Sequence, residues 1–353
     1  MDNRMDRCPF DRLLAMTLLV LAGCAGQPAP KTASSGQPPP PPIVHLLCHA
    51  GTRSVGFAAV GVPEGERPVA AALTPRYAWV LFQPARLLRV DRAGGATVQM
   101  LVGGDRETWD ALDADPLDGS VWIGEEHPFS LHHVTPDLRL TTVEVQRVQG
   151  DGTFNRLLVG RDALYVSAAG ADDQVWRIER TGHFLAKAFP SRHEETEGEP
   201  SRFGRGFSHL AHSPDGGVVF WDGAQGKAFA PDASGAWVPS AVNWFDADPS
   251  PGRAVKGVGV GSKDEMWYLY EGGFRTLFFW KGQPIFLSSH ASGIKNSATV
   301  LVVPASGGGE PRELFDRCDK AYFLDVVSDT TGYLALTHEG AVIGDFASSP
   351  DLP

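Results

Sequence analysis

Acidic and imidazole side chains recur in this sequence just after short apolar runs, where a strand would give way to a loop. Glu125, Glu126 and His127 follow Val-Trp-Ile-Gly, and Asp172 follows Val-Ser-Ala-Ala-Gly-Ala. Asp222 follows Val-Val-Phe-Trp, Glu271 follows Trp-Tyr-Leu-Tyr, and His338 with Glu339 follows Leu-Ala-Leu-Thr. Carboxylates gathered about one axis offer hard oxygen donors to a cation such as Ca2+; without a metal they make a polar binding cup. Asn155, His209 and Lys256 stand on a second set of connections and would add mixed charge to the same mouth.

Other chemistries lack their spacing. No HExxH, no G-x-S-x-G elbow and no phosphate-cradling loop is present, and the run Gly307-Gly308-Gly309 lacks the following Lys. His132 and His133 are adjacent on a strand, so they point to opposite faces and cannot share a metal. His209 and His212 also alternate, which leaves His209 as the one expected to see an axis. A net charge of −11 with a pI near 5.4 excludes a broad phosphate-binding face, and so a nucleic-acid partner.

The elements that must position these groups are strands. Forty Gly and 27 Pro, with 42% hydrophobic residues and nine Trp, describe a turn-rich chain with ample core material. Residues 111–140 read as four short period-2 runs divided by Pro, Asp and Gly turns. Such a meander is a propeller blade, which cannot bury both faces alone and must stack on copies of itself.

The copies are marked by an aromatic on the second strand. Trp79, Trp122 and Tyr165 are each 43 residues apart, and Phe220, Trp267 and Tyr333 continue the series. The expected fold is all-β, a six-bladed propeller of four-stranded antiparallel blades. Residues 300–315 read equally as half of another blade, which leaves six or seven. The last blade, 322–346, shows three strands, and residues 43–49 are expected to supply its fourth and close the ring. A charged insertion, residues 191–205, reads as a solvated loop.

The blades 112–140 and 154–184 resemble the group of NHL-repeat, SMP-30/gluconolactonase-like and streptogramin-lyase-like propellers. The resemblance implies one Ca2+ in the central channel for a lactonase, with Glu125 and Asn155 as its ligands here. The sequence departs from that pattern where Ala168 stands in place of an Asp after Leu-Tyr-Val-Ser, and where Gly65-Glu66-Arg67-Pro68-Val69 only echoes the family's opening motif. The lyase of the group uses a His with a nearby Glu, a role for which His209 and His212 are the candidates.

The N-terminus resembles a bacterial lipoprotein signal: a short apolar run after Arg12 ends in Leu21-Ala22-Gly23-Cys24. The resemblance implies cleavage before Cys24, lipidation of its sulfur, and, with Ala25 rather than Asp next, the outer membrane. The expected organisation is signal 1–23, lipidated Cys24 with a Pro-rich tether to residue 42, and a propeller from 43 to 353. The tether's KTASSGQPPPPP stays extended rather than packing. Cys8 would leave with the signal, so Cys48 and Cys318 remain in an oxidising compartment, where a disulfide is the natural pairing and two unpaired thiols the alternative. The expected function is a non-catalytic binding module for a protein or small molecule at the channel mouth. The alternatives are a lactonase-like hydrolase or lyase with a channel cation, and a scaffold in outer-membrane assembly.

Overall fold

The computed structural model describes residues 43–94, 98–104, 107–125, 129–145, 153–169, 174–189, 209–222, 227–232, 234–239, 274–288, 299–304, 312–316, 318 and 323–353. They form six sheets of consecutive antiparallel strands. Blade one runs Arg67–Leu73, Tyr77–Gln83, Arg86–Asp91 and Val98–Val102. Blade two is Trp109–Ala114, Val121–Glu125, Ser130–Val134 and Leu140–Glu144. Blade three is Thr153–Val159, Leu164–Ala169, Gln174–Ile178 and Phe184–Phe189; blade four is His209–His212, Val218–Asp222, Lys227–Pro231 and Trp237–Pro239. Blade five is Phe274–Trp280, Gln283–Ser288, Thr299–Val303 and Arg312–Asp316. Blade six is Asp325–Ser328, Gly332–Leu336 and Gly340–Asp345, completed by the N-terminal strand Arg53–Gly56.

The innermost strand of each blade touches the next around a closed ring, blade six returning to blade one. Between each pair of blades lies one apolar cluster. Trp79 and Leu81 meet Trp109 and Ile123 between blades one and two; Trp122 meets Leu164 and Trp176 between two and three. Tyr165 meets Phe220, Trp221 meets Phe286, Trp280 meets Tyr333, and Leu334 meets Val80 at the remaining four. Strand side chains alternate between the two faces, so each blade contributes to both its neighbours. That alternation is why the runs read as nearly continuous apolar stretches.

Three expectations need correction. The ring is closed by Arg53–Gly56, antiparallel to Gly340–Asp345, and not by residues 43–49. Ile43–Val44 instead lies parallel to Phe315 and Asp316 as a fifth strand on the edge of blade five. The hairpin near 300–315 is the outer half of blade five rather than of a seventh blade, so Trp267 is not that blade's second-strand aromatic and lies outside the described residues. Finally, Trp79, Trp122 and Tyr165 all face the following blade, whereas Phe220 and Tyr333 face the preceding one. Their true equivalents are Trp221 and Leu334, one residue later; a single-residue offset changes face in a strand.

The predicted disulfide is present. Cys48 and Cys318 are joined with a Cα separation of 5.6 Å across 270 residues of chain. It sits beside Leu46 and Leu47, both buried, with the Tyr333 hydroxyl donating to the Leu46 carbonyl at 3.0 Å. The Leu47 amide donates to Asp316 Oδ2 at 2.8 Å. Burial pushes the Asp316 carboxyl up to about 7, against the pull of the Leu47 and Leu46 amides and of His45. A loop that long is stabilised by up to about 5 kcal/mol through lost chain entropy.

Equivalent packing predicts equivalent costs. Trp79→Ala and Trp122→Ala should each destabilise the domain by about 3–5 kcal/mol in urea titrations. Leu117→Ala, at an exposed turn, should change the midpoint little.

Candidate functional site

All innermost strands run the same way, so one end of the channel collects the blade-to-blade connections and the loops between second and third strands. At that end the innermost strands carry a repeated irregularity. The pairing register shifts between Pro68 and Ala70, Trp109 and Ala111, Phe154 and Arg156, and Phe274 and Thr276. The extra residues are Val69, Asp110, Asn155 and Arg275, set at matching heights in blades one, two, three and five. A bulge bends the strand and re-aims its side chains, and bulges concentrate where a sheet rim meets a ligand. Asp110 is held there by the Gln83 side-chain amide, which donates to its Oδ1 at 2.9 Å.

Below the bulges the channel narrows. Ala71, Leu112, Leu157, Leu210, Phe278 and Val326 wall it, leaving a cavity of about 30 Å3, enough for a water but not for an organic ligand. Two charge pairs cross it. Arg156 of blade three reaches to Asp325 of blade six, on the far side of the ring, placing both terminal nitrogens 3.4 and 3.5 Å from Oδ1. Nearer the other end, Asp113 of blade two meets His212 of blade four, with Nε2 2.8 Å from Oδ2. The Val159 amide of blade three donates to that same oxygen at 2.6 Å. One carboxylate thus ties three successive blades.

The electrostatics of the lower pair follow from its setting. Burial by itself lowers the His212 pKa, but the Asp113 charge, its hydrogen bond and a hydrogen bond to the Gly217 backbone outweigh this, and the net direction is up from 6.5. Arg156 opposes it. The imidazole has Asp113 on its Nε2 side and the Gly217 backbone as a second hydrogen-bond partner.

The sequence-predicted residues separate into three groups. The backbone carries Asn155, His209, Asp222 and His338 to the mouth end: the bulge of blade three, the start of blade four, the end of its second strand, and an exposed loop of blade six. Glu126, His127, Asp172, Lys256 and Glu271 lie outside the described residues. Glu125 does not face the mouth. It is 3% exposed inside blade two, where its Oε2 accepts from Ser130 Oγ at 2.8 Å and lies 3.0 Å from His132 Nε2. The Thr108 amide donates to Oε1 at 3.3 Å, and His132 Nδ1 lies 3.1 Å from Thr142 Oγ1. Cross-strand neighbours close this network because Glu125 pairs with Ser130, and His132 with Thr142.

The histidines divide as alternation requires: His132 is buried, and His133 lies on the opposite face beside the Trp122 ring with its Nε2 2.6 Å from Ser120 Oγ. His212, which was not expected to see the axis, lines the channel cavity. It ends its strand, where a side chain is free to turn toward the Asp113 carboxylate. Sequence reading missed Asp113, Arg156 and Asp325 altogether. Asp113, in Ala-Leu-Asp-Ala-Asp-Pro, was the detectable one: a carboxylate in an apolar innermost strand must find a partner.

The calcium set of a lactonase does not fit the residues described. Ala168, the partner of Phe154 beside the Asn155 bulge, offers no oxygen, and Glu125 is engaged within its own blade. The sequence matches no protein-family model and no curated protein. The fold does match solved propellers. A streptogramin B lyase aligns at a TM-score of 0.51 with 7% identity, over 83% of this chain and 96% of that one. A putative gluconolactonase aligns at 0.50 with 11% identity, over 85% and 94%. The chain shares their six-bladed propeller fold. At these identities the shared property is the architecture, which does not by itself fix a function.

The lower charge pair sets a pH dependence. A histidine whose folded pKa is raised stabilises fully below 6.5, and that contribution is lost as pH rises through the folded value. The stability difference between the native protein and His212→Gln should therefore be largest near pH 6 and shrink toward pH 9 in urea titrations. Asp113→Ala, which strands His212 and the Val159 amide, should cost about 3–5 kcal/mol at neutral pH.

Proposed function

We propose that this protein is a lipid-anchored, extracytoplasmic propeller that binds a protein or small-molecule ligand at its channel mouth without acting on it chemically. The observation that carries the reading is the double crossing of the channel by Arg156–Asp325 and Asp113–His212. Among the described residues that line the channel cavity, the ionisable groups Asp113, Arg156 and His212 are all paired across it. Recognition then falls to the mouth, where the backbone bulges at Val69, Asp110, Asn155 and Arg275 mark the rim.

The anchor reading rests on Leu21-Ala22-Gly23-Cys24 and the proline-rich residues that follow, with Ala25 favouring the outer membrane. The Cys48–Cys318 disulfide suits an oxidising compartment. Among the described residues no helix is long and apolar enough to cross a membrane. Acyl chains on Cys24 would supply the attachment.

Labelled palmitate should enter the native protein in bacterial cells and be absent from Cys24→Ala, which should move to the soluble fraction. Equal membrane partition of the two would remove the anchor reading. The competing reading, a calcium-dependent hydrolase or lyase, predicts one tightly held calcium per purified chain, released by Asn155→Ala. The binding-module reading expects elemental analysis after dialysis to find no stoichiometric calcium.

A further inference from the structure

The disulfide lies in the company of two other metal-binding side chains. One ligand atom each from His45, Cys48 and Asp316 lies within 4.8 Å of the others, and Asp316 Oδ1 is 3.4 Å from Cys318 Sγ. His45 and Cys48 come from the segment just after the first short strand; Asp316 ends the outer strand of blade five, and Cys318 follows two residues later. We propose that in the reduced protein these four residues bind one Zn2+ in a tetrahedral site of two thiolates, one imidazole and one carboxylate.

The geometry is close to what the ion needs. Zinc bonds of about 2.3 Å to sulfur and about 2.0–2.1 Å to nitrogen or oxygen set tetrahedral ligands roughly 3.3–3.8 Å apart. The sulfur–carboxylate separation already matches this. The remaining contacts lie within 4.8 Å and need to close by about an ångström at most; His45 is the exposed member of the group. Once the S–S bond is cut, the sulfurs relax toward the same spacing. The carboxylate is also oriented as an outer-shell hydrogen bond would orient it: Oδ2 accepts the Leu47 amide, leaving Oδ1 toward the sulfurs. Asp316 itself is fully buried, so it is held where a cation would be.

Disulfide and metal are alternatives. In the closed state the sulfurs share a bond and cannot serve as thiolates. The zinc-binding state belongs to the chain before its disulfide forms, or after reduction. In the test a phosphine supplies the electrons: it attacks one sulfur, the other leaves as thiolate, and water hydrolyses the adduct to phosphine oxide. The two protons of that water end on the two sulfurs, and metal binding then displaces them.

The experiment uses the mature full-length chain, reduced with a phosphine, desalted without oxygen, and titrated with Co2+ as the optical probe. The expected result is one Co2+ per chain, with tetrahedral d–d bands and thiolate charge-transfer absorption, displaced by Zn2+. The oxidised protein should show neither. His45→Ala, an exposed change that leaves the core intact, should weaken Co2+ binding at least tenfold while keeping the thiolate absorption. In parallel, Zn2+ should raise the Tm of the reduced protein and leave the oxidised protein unmoved. A reduced chain that takes up no stoichiometric Co2+, or that binds it equally well as His45→Ala, overturns the site. So does a reduced chain that loses its fold and is not restored by Zn2+.

Discussion

Every blade of this protein has two apolar faces and can hide neither by itself. Each inter-blade layer joins side chains from both sheets, such as Trp122 with Leu164 and Trp176, or Trp280 with Tyr333. Leaving one layer open would expose several large side chains, each stabilised by roughly 1.5–3 kcal/mol when buried. The constraint is closure. Blade six must meet blade one, and it does so through Leu334, Leu336, Ala341 and Ile343 against Val80, Phe82 and Leu88.

Closure explains where the chain ends are held. The N-terminal strand Arg53–Gly56 completes blade six, so the ring's last sheet is built from both ends of the domain. Just before it, the chain turns over the junction of blades five and six, where Leu46, Leu47 and the disulfide bury beside Trp280 and Tyr333. The C-terminal residues return to the same place: the Trp280 indole donates to the Pro350 carbonyl at 3.1 Å and Lys281 to that of Ser349 at 2.7 Å. The face away from the mouth is stitched by a recurring ion pair. Arg92, just after the third strand of blade one, reaches Asp329 in the first turn of blade six at 2.6 Å; Arg180, likewise placed in blade three, reaches Asp115 of blade two at 2.9 Å. The two arginines occupy the matching contexts Val-Asp-Arg-Ala-Gly and Ile-Glu-Arg-Thr-Gly, a repeat legible in the sequence once the blades are aligned.

The same ring governs the chemistry. Six innermost strands converge on an axis too narrow for a ligand, so any polar group there must be paired in place. Asp113 accepts from Val159 and His212, and Arg156 spans to Asp325. These pairs span the channel below the bulged rim, where Val69, Asp110, Asn155 and Arg275 differ from blade to blade.

Much of this was written in the chain itself. The 43-residue spacing of Trp79, Trp122 and Tyr165, the alternating runs, and the turns between them determined a propeller, because period-2 burial and equal repeats admit few other solutions. The pairing of Cys48 with Cys318 was likewise legible, since these two cysteines remain once Cys8 and Cys24 are assigned to the exported N-terminus. What only the tertiary structure decided was the partnership of residues far apart in sequence. Which strand closes the ring depends on which of two neighbouring segments fits blade six, a choice of register that composition does not carry. Whether Phe220 or Trp221 faces forward turns on a single residue. The fates of Glu125, Asp113 and His212 were decided by neighbours across a sheet or an axis, because a carboxylate's role is set by the hydrogen-bond partner that reaches it rather than by the residues beside it.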